Sequence, residues 1–281
     1  MLTFRKMHGL GNDFVILDHL SGQPLPDETM VRHLCNRHTG VGCDQLIVLR
    51  PHAQTDAEMV IFNPDGSRAG MCGNAARCVV WLLADGEKGR RITLAVGPRM
   101  LEGTVTGDHL VEVDMGLPDF TPANIPVLAD KPLAEIHIKA ELPSGRAVSM
   151  GNPHVAFFVP DAEAVPLAEW GEEIEHHSAF PNRVNVEFVQ VLGENHLKMR
   201  VWERGTGATQ ACGSGACAVG VLGLLGGYVS GPKVRVDMPG GTLSITWRDG
   251  HPVLMEGPVA DAFAGTLSAG VHSRPAAQAV A

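Results

Sequence analysis

Met71-Cys72-Gly73-Asn74-Ala75-Ala76-Arg77-Cys78 and Ala211-Cys212-Gly213-Ser214-Gly215-Ala216-Cys217 share one pattern, and their leading cysteines stand 140 residues apart. In each, a Cys-Gly pair opens a small-residue apolar run of the kind that reads as a buried helix. The offset of 140 recurs outward from these segments. Gly11-Asn12 falls on Gly151-Asn152, with Val15 on Val155; Gln45-Leu46-Ile47-Val48 falls on Asn185-Val186-Glu187-Phe188; and Met59-Val60-Ile61-Phe62-Asn63 falls on Met199-Arg200-Val201-Trp202-Glu203. Several segments in one register point to an internal duplication. Around each Cys-Gly pair the β-branched segments 57–62 and 184–191 precede a Gly-rich turn, helices are predicted over 75–84 and 215–225, and further strands follow at 91–96, 105–115, 233–238 and 242–247. The pattern predicts an α/β (α+β) fold of two pseudo-symmetric domains. The expected boundaries are 1–117 and 118–262, with the Pro-rich stretch 117–132 as linker, a segment near 260–270 returning to complete the first domain, and a structureless tail over 265–281.

Composition narrows the function. A net charge of -9 and the lack of any Lys/Arg cluster argue against nucleic acid and for a small soluble substrate. The N-terminus has no apolar signal region, and the longest apolar run, around 216–225, is too short to span a bilayer, so a cytoplasmic protein without membrane association is expected. All six cysteines are then expected to be free thiols, and none has the Cys-x-x-Cys spacing of a zinc ribbon or redox motif.

A cysteine at a helix start lies beside unpaired backbone N–H groups and the positive end of the helix dipole, which favour its thiolate. The same N–H groups, of Gly73-Asn74 and Gly213-Ser214, make anion sites fit for a carboxylate, and the glycines are expected to let a ligand approach closely. A carboxylate held between two such helix ends has Cys72 on one side of its α-carbon and Cys212 on the other. That arrangement suits stereoinversion, in which one thiolate takes the α-proton and the opposite thiol returns another, with no metal and no cofactor required. Cys35, Cys43, Cys78 and Cys217 read instead as small buried hydrophobes. Asn12, Gln45, Asn63, Asn152 and Asn185 are amides at matching points and candidates for substrate contact. Glu203-Arg204 and His154 fall opposite Asn63-Pro64 and Phe14, so the second half alone carries these charges. Arg204 is a candidate clamp for a second carboxylate, and His154 a candidate aid to proton movement at one cysteine. Asp13, Asp44, Asp65 and Arg68 read as loop and capping residues, and Arg77 as a residue on a solvated helix face.

The strings HGLGNDF at 8–14, MCGNAARC at 71–78, GNPH at 151–154, NVEFV at 185–189, WERG at 202–205 and ACGSGAC at 211–217 together resemble the diaminopimelate epimerases over about residues 3–264. The resemblance implies a lysine and peptidoglycan precursor enzyme that interconverts LL- and meso-diaminopimelate without metal or pyridoxal phosphate. It implies a pair of domains in which strands wrap a central helix, in a family where homodimers are common. It places the acid/base pair at Cys72 and Cys212, tuned by His154 and Glu203. Substrate contacts are implied at Asn12, Gln45, Asn63, Gly73, Asn74, Asn152, Asn185, Glu203, Arg204, Gly213 and Ser214. Ala75 and Ala208 depart from the family's usual glycine and acidic residue, as local packing variation. Proline-racemase-like proteins are the alternative within the same chemistry, but their first Cys-Gly is followed by histidine rather than by Asn74. A reversible disulfide switch or a metal-binding protein is the alternative outside it.

Overall fold

In the computed structural model, which describes residues 2–267, the repeat is visible as matched strand register. Strand Asn12–Asp18 runs parallel to Gln45–Arg50 with Phe14 beside Gln45, and Pro153–Phe158 runs parallel to Asn185–Gly193 with His154 beside Asn185. Gln45–Arg50 pairs antiparallel with Ala57–Phe62 through Leu46 and Phe62; its counterpart pairs with His196–Glu203 through Val186 and Trp202. Each of these partners is the other shifted by 140.

These strands are apolar on both faces because both faces are covered. Ile47 and Leu49 turn inward to a central core shared by the two halves, while Leu46 and Val48 turn outward to a cluster under helix α1 (Glu28–Cys35). In the second half Val189 turns inward, and Val186 and Phe188 turn outward under helix α3 (Leu167–Glu175). The central core is filled by α2 (Gly73–Leu83) and α4 (Gly213–Leu225), each buried along most of its length. A helix surrounded on all sides has no solvated face. This corrects the reading of Arg77, which is fully buried on α2. Helix α4 has 13 residues against 11 in α2, so the offset becomes 142 beyond them. Leu94 pairs with Leu101, and Val236 with Leu243.

The halves join where strand Leu110–Asp114 pairs antiparallel with Leu254–Pro258, with Val113 opposite Met255. Those two residues are themselves equivalent at 142, so the pseudo-dyad passes between them. The chain then returns: Ala260–Leu267 pairs antiparallel with Leu2–Gly9 of the first half. Residues 265–267, read from sequence as tail, thus extend a strand because Leu2–Gly9 offers them a free edge; 268–281 lie outside the described residues. No helix among the described residues is long and apolar enough to cross a membrane.

Candidate active site

Cys72 and Cys212 are the N-cap residues of α2 and α4, both with extended backbones. Their carbonyls accept the first helical bonds, from Ala76 at 3.0 Å and Ala216 at 2.9 Å. Neither thiol caps its helix, so the first-turn N–H groups stay available beside the sulfur. In the turns before Asn12 and Asn152, Gly11 and Gly151 have φ of 84° and 94°, the left-handed region open to glycine.

The two helix starts meet on one side chain. A Cβ on Gly73 would lie 2.7 Å from Met255 Cε, and one on Gly213 would lie 3.0 Å from Met255 Sδ and 3.6 Å from Asn74 Oδ1. Glycine follows each cysteine because Met255, fully buried on the joining strand, fills the space a side chain would need. Met255 thus approaches both glycines on the side where a Cβ would stand. The glycines thereby bring the cysteine-bearing ends of two helices from different halves together.

Burial dominates the thiol electrostatics and overrides the expected stabilisation of thiolate. Cys212 is 5% exposed and Cys72 is partly buried. Burial pushes Cys72 up to about 11, opposed by the Ala75 and Asn74 N–H groups and reinforced by the Glu203 carboxylate. Cys212 is pushed well above its ordinary value by burial, then by Glu203 and Glu187, against the Ser214 hydroxyl and the Gly215 N–H. The Glu203 carboxylate of the second half opposes ionisation of both sulfurs, one in each half.

A family model described as diaminopimelate epimerase matches residues 4–121 and 146–260. The chain belongs to the diaminopimelate epimerase family. The gap in that match, 122–145, is the irregular connection that packs Ile125, Val127 and Ile136 into the outer core of the second half. The chain is 49% identical over 276 residues to a diaminopimelate epimerase of Rhodospirillum centenum, covering 94% of this chain and 92% of the relative. It is 42% identical over 274 residues to one of Ectopseudomonas mendocina, covering 95% and 99%. As a member of this family it is an amino-acid epimerase, an isomerase. Among solved structures, a predicted epimerase from Pseudomonas aeruginosa superposes with a TM-score of 0.67 at 17% identity, covering 95% of this chain and 99% of that one. A hydroxyproline epimerase from Agrobacterium vitis with bound trans-4-OH-L-proline gives 0.66 at 15%, covering 94% and 91%. These two share the fold.

The remaining family positions fall into linked groups. In the first half Asn12 Oδ1 lies 3.7 Å from the Cys72 thiol and 3.3 Å from Asn74 Nδ2, and Gln45 Nε2 donates to Asn63 Oδ1 at 3.2 Å. In the second half Asn152 Oδ1 lies 3.1 Å from His154 Nε2, and Thr209 donates to Glu203 at 2.5 Å. Asn185 is buried, with its amide donating to the Pro153 carbonyl and its oxygen accepting the Arg204 N–H, so it shapes the loop that presents Glu203 and Arg204. The Arg204 guanidinium turns to the Asn182 carbonyl in an exposed loop.

Three residues have roles that the sequence reading does not assign: Glu187 is given none, Arg77 reads as solvated and Asp44 as a loop or capping residue. Glu187 is fully buried on the inner face, with Oε1 at 2.6 Å from His154 Nδ1 and Oε2 without a partner among the described residues. Arg77 reaches Asn74 Oδ1 at 2.8 Å, and Asp44 accepts from Asn12 Nδ2 at 3.0 Å. The signal for Glu187 was available: strand alternation puts it inward with Val189, where the repeat has Ile47. Asp13 and Asp44 are also more than capping residues. Burial works to raise Asp13, but Arg37 and Lys6 overcome it and hold the carboxyl well below its ordinary range.

Proposed function

We propose that the protein epimerises LL-2,6-diaminopimelate to meso-diaminopimelate by two-base catalysis at Cys72 and Cys212, in lysine and peptidoglycan precursor synthesis. The observation that carries this reading is the convergence of two Cys-Gly helix starts on Met255, with Glu203 acting on both thiols.

The substrate's α-carboxylate binds between the helix ends, on the N–H groups of Gly73-Asn74 and Gly213-Ser214, which leaves the α-carbon between the sulfurs. One thiolate removes the proton as the C–H pair stays on carbon; the opposite thiol then supplies a proton to the other face. Charge is balanced, since the thiolate has moved from one cysteine to the other. Thiols raised by burial make strong bases but are seldom ionised in the empty site. A bound α-ammonium beside Glu203 cancels the charge that opposes ionisation, so the base forms when substrate arrives. His154, held by Glu187, and Glu203, held by Thr209, tune the pair. Asn12, Gln45, Asn63, Asn152, Asn185 and Arg204 are the residues through which we expect the rest of the substrate to be bound or its pocket shaped.

Free thiols suit a cytoplasmic enzyme, and a homodimer follows from the family resemblance. We divide the chain into domains 1–117 and 118–262; the pairing of Ala260–Leu267 with Leu2–Gly9 supports completion of the first by the returning strand. The deciding experiment incubates the protein with LL-diaminopimelate in deuterated solvent with reductant and chelator, against proline and glutamate as controls. Deuterium at the α-carbon with formation of the meso isomer is expected. Turnover of proline in its place would transfer the reading to the racemase class.

A further inference from the structure

Arg77 is a fully buried guanidinium, and among the described residues no carboxylate pairs with it. It donates to Asn74 Oδ1 at 2.8 Å and lies 3.6 Å from Met255 Sδ, and its Nε has no partner among the described residues. Burying an unpaired charge is strongly unfavourable, and an apolar side chain packs better in such a place. The equivalent position on α4 is indeed the buried Cys217. Stability does not account for Arg77.

Its position in a hydrogen-bond chain does. Asn74, held by Arg77, donates from Nδ2 to Asn12 Oδ1 at 3.3 Å, and Asn12 donates from Nδ2 to Asp44 Oδ2 at 3.0 Å. Asp44 is anchored in turn by Arg37 at 2.7 Å. A guanidinium can only donate and a carboxylate can only accept, so charges of opposite sign at the two ends force the sense of both amides between them. With its NH2 turned to Asp44, Asn12 must present its carbonyl oxygen to the other side. There it accepts the Cys72 S–H, with sulfur to oxygen 3.7 Å. The second half has no such chain. Val184, Ser214 and Cys217 replace Asp44, Asn74 and Arg77, and the equivalent Asn152 has its Oδ1 on His154.

We infer that Arg77 and Asp44 are positioning residues, the two charged ends of a chain through Asn74 and Asn12 that holds an acceptor oxygen on the Cys72 thiol and on no part of Cys212. This rests on the reading of Cys72 as an acid/base residue. The chain sets where the Cys72 proton points and fixes its sulfur against the substrate carbon. Charged groups acting on that sulfur are Arg77 from its own helix and Glu203 from the other half.

The test uses the full-length enzyme and a thermodynamic cycle of Arg77→Met, Asp44→Ala and the double variant. Each single substitution is expected to lower kcat by about tenfold or more, with KM changed less than about threefold. The double variant should be no worse than the poorer single, because one broken link already frees both amides. The ratio of iodoacetamide labelling at Cys72 to that at Cys212, read by peptide mass spectrometry, should change in all three. Asp44→Asn, which keeps one acceptor oxygen but must turn an NH2 to either Arg37 or Asn12, should restore kcat only in part, between Asp44→Ala and wild type. Asp44 is half-exposed, so this pair of variants carries the test even where Arg77→Met fails to fold. Strictly additive losses, or wild-type kcat and labelling in Asp44→Ala, overturn the chain while leaving two-base catalysis standing. Appreciable inversion by Cys72→Ala overturns both.

Discussion

Glu187 occupies the place that Ile47 holds in the first half, and its Oε1 lies 2.6 Å from Nδ1 of His154, which itself replaces Phe14. Both side chains are fully buried on the inner face of the second half. The duplication has thus exchanged two apolar contacts for a polar pair beside only one of the two helix starts. Gly215 accompanies the exchange, since a Cβ there would meet Glu187 Oε1 at 2.9 Å, whereas the first half carries Ala75. The two cysteines are therefore chemically unequal in a scaffold that is nearly symmetric.

Glu187 should leave a signature in stability against pH. Burial, and then Glu203, raise its pKa above the ordinary carboxylate value, against the attraction of His154. Below the ordinary glutamate range, folded and unfolded chains both hold the proton and Glu187 costs nothing. As pH rises, the unfolded chain releases its proton first, so stability is lost until pH passes the raised folded value. Glu187→Gln removes this dependence. Urea denaturation at several pH values between 4 and 8 should show the variant gaining on wild type toward the upper end. Parallel curves would show that the carboxyl is not desolvated.

Glu203 is expected to govern the reactivity of both thiols. Its carboxylate opposes ionisation of Cys72 and of Cys212, second only to burial at Cys212. In Glu203→Gln the alkylation of each thiol in the empty enzyme should accelerate by between about threefold and tenfold at a fixed pH below 9. Epimerisation should nevertheless fall if, as we propose, this carboxylate holds the substrate ammonium. Acceleration at one cysteine alone would mean that Glu203 does not act on both thiols.

The duplication and its consequences were legible because they depend on residues adjacent in sequence. The shared offset of the Gly-Asn, amide-strand and Cys-Gly segments reappears as strand register, and the two Cys-Gly pairs do begin buried helices. What stayed hidden depends on three-dimensional neighbours. Arg77 reads as a solvated residue because a polar side chain within a helix ordinarily marks its outer face, and nothing local says that α2 has none. Asp44 lies 32 residues from the asparagine it holds, and reads as a loop residue until two parallel strands bring them together. Met255, which dictates both glycines, belongs to a joining strand whose partner lies more than a hundred residues earlier.

Replacing either cysteine should stop inversion without unfolding the protein. Cys72→Ala and Cys212→Ala remove side chains that make no capping bond, so the helices keep their first turns. We expect kcat/KM to fall by about 10⁴ or more in each, with far-ultraviolet circular dichroism unchanged. A variant that retains one cysteine can still wash out the α-proton of the matching stereoisomer slowly. Full inversion by either variant would remove that residue from the two-base scheme.

The meeting of both helix starts on Met255 predicts coupling between residues of different halves. In Gly213→Ala the new Cβ would lie 3.0 Å from Met255 Sδ and 3.4 Å from Cε, and Met255 has no exposed surface into which to retreat. Overpacking of this kind should cost about 1–3 kcal/mol and move Cys212 relative to Cys72, lowering kcat more than it raises KM. Shortening the methionine makes room. Met255→Ala alone should destabilise by about 2–5 kcal/mol through the cavity it leaves, but combined with Gly213→Ala the losses should be less than additive. Gly73→Ala should behave in the same way, since its Cβ would meet Met255 Cε at 2.7 Å and Met115 Cε at 3.1 Å. Thermal denaturation and kcat of the two cycles check this together. Independent, additive losses would mean that the helix starts do not share the methionine, and the proposal of one cysteine on each side of the substrate carbon would lose its support.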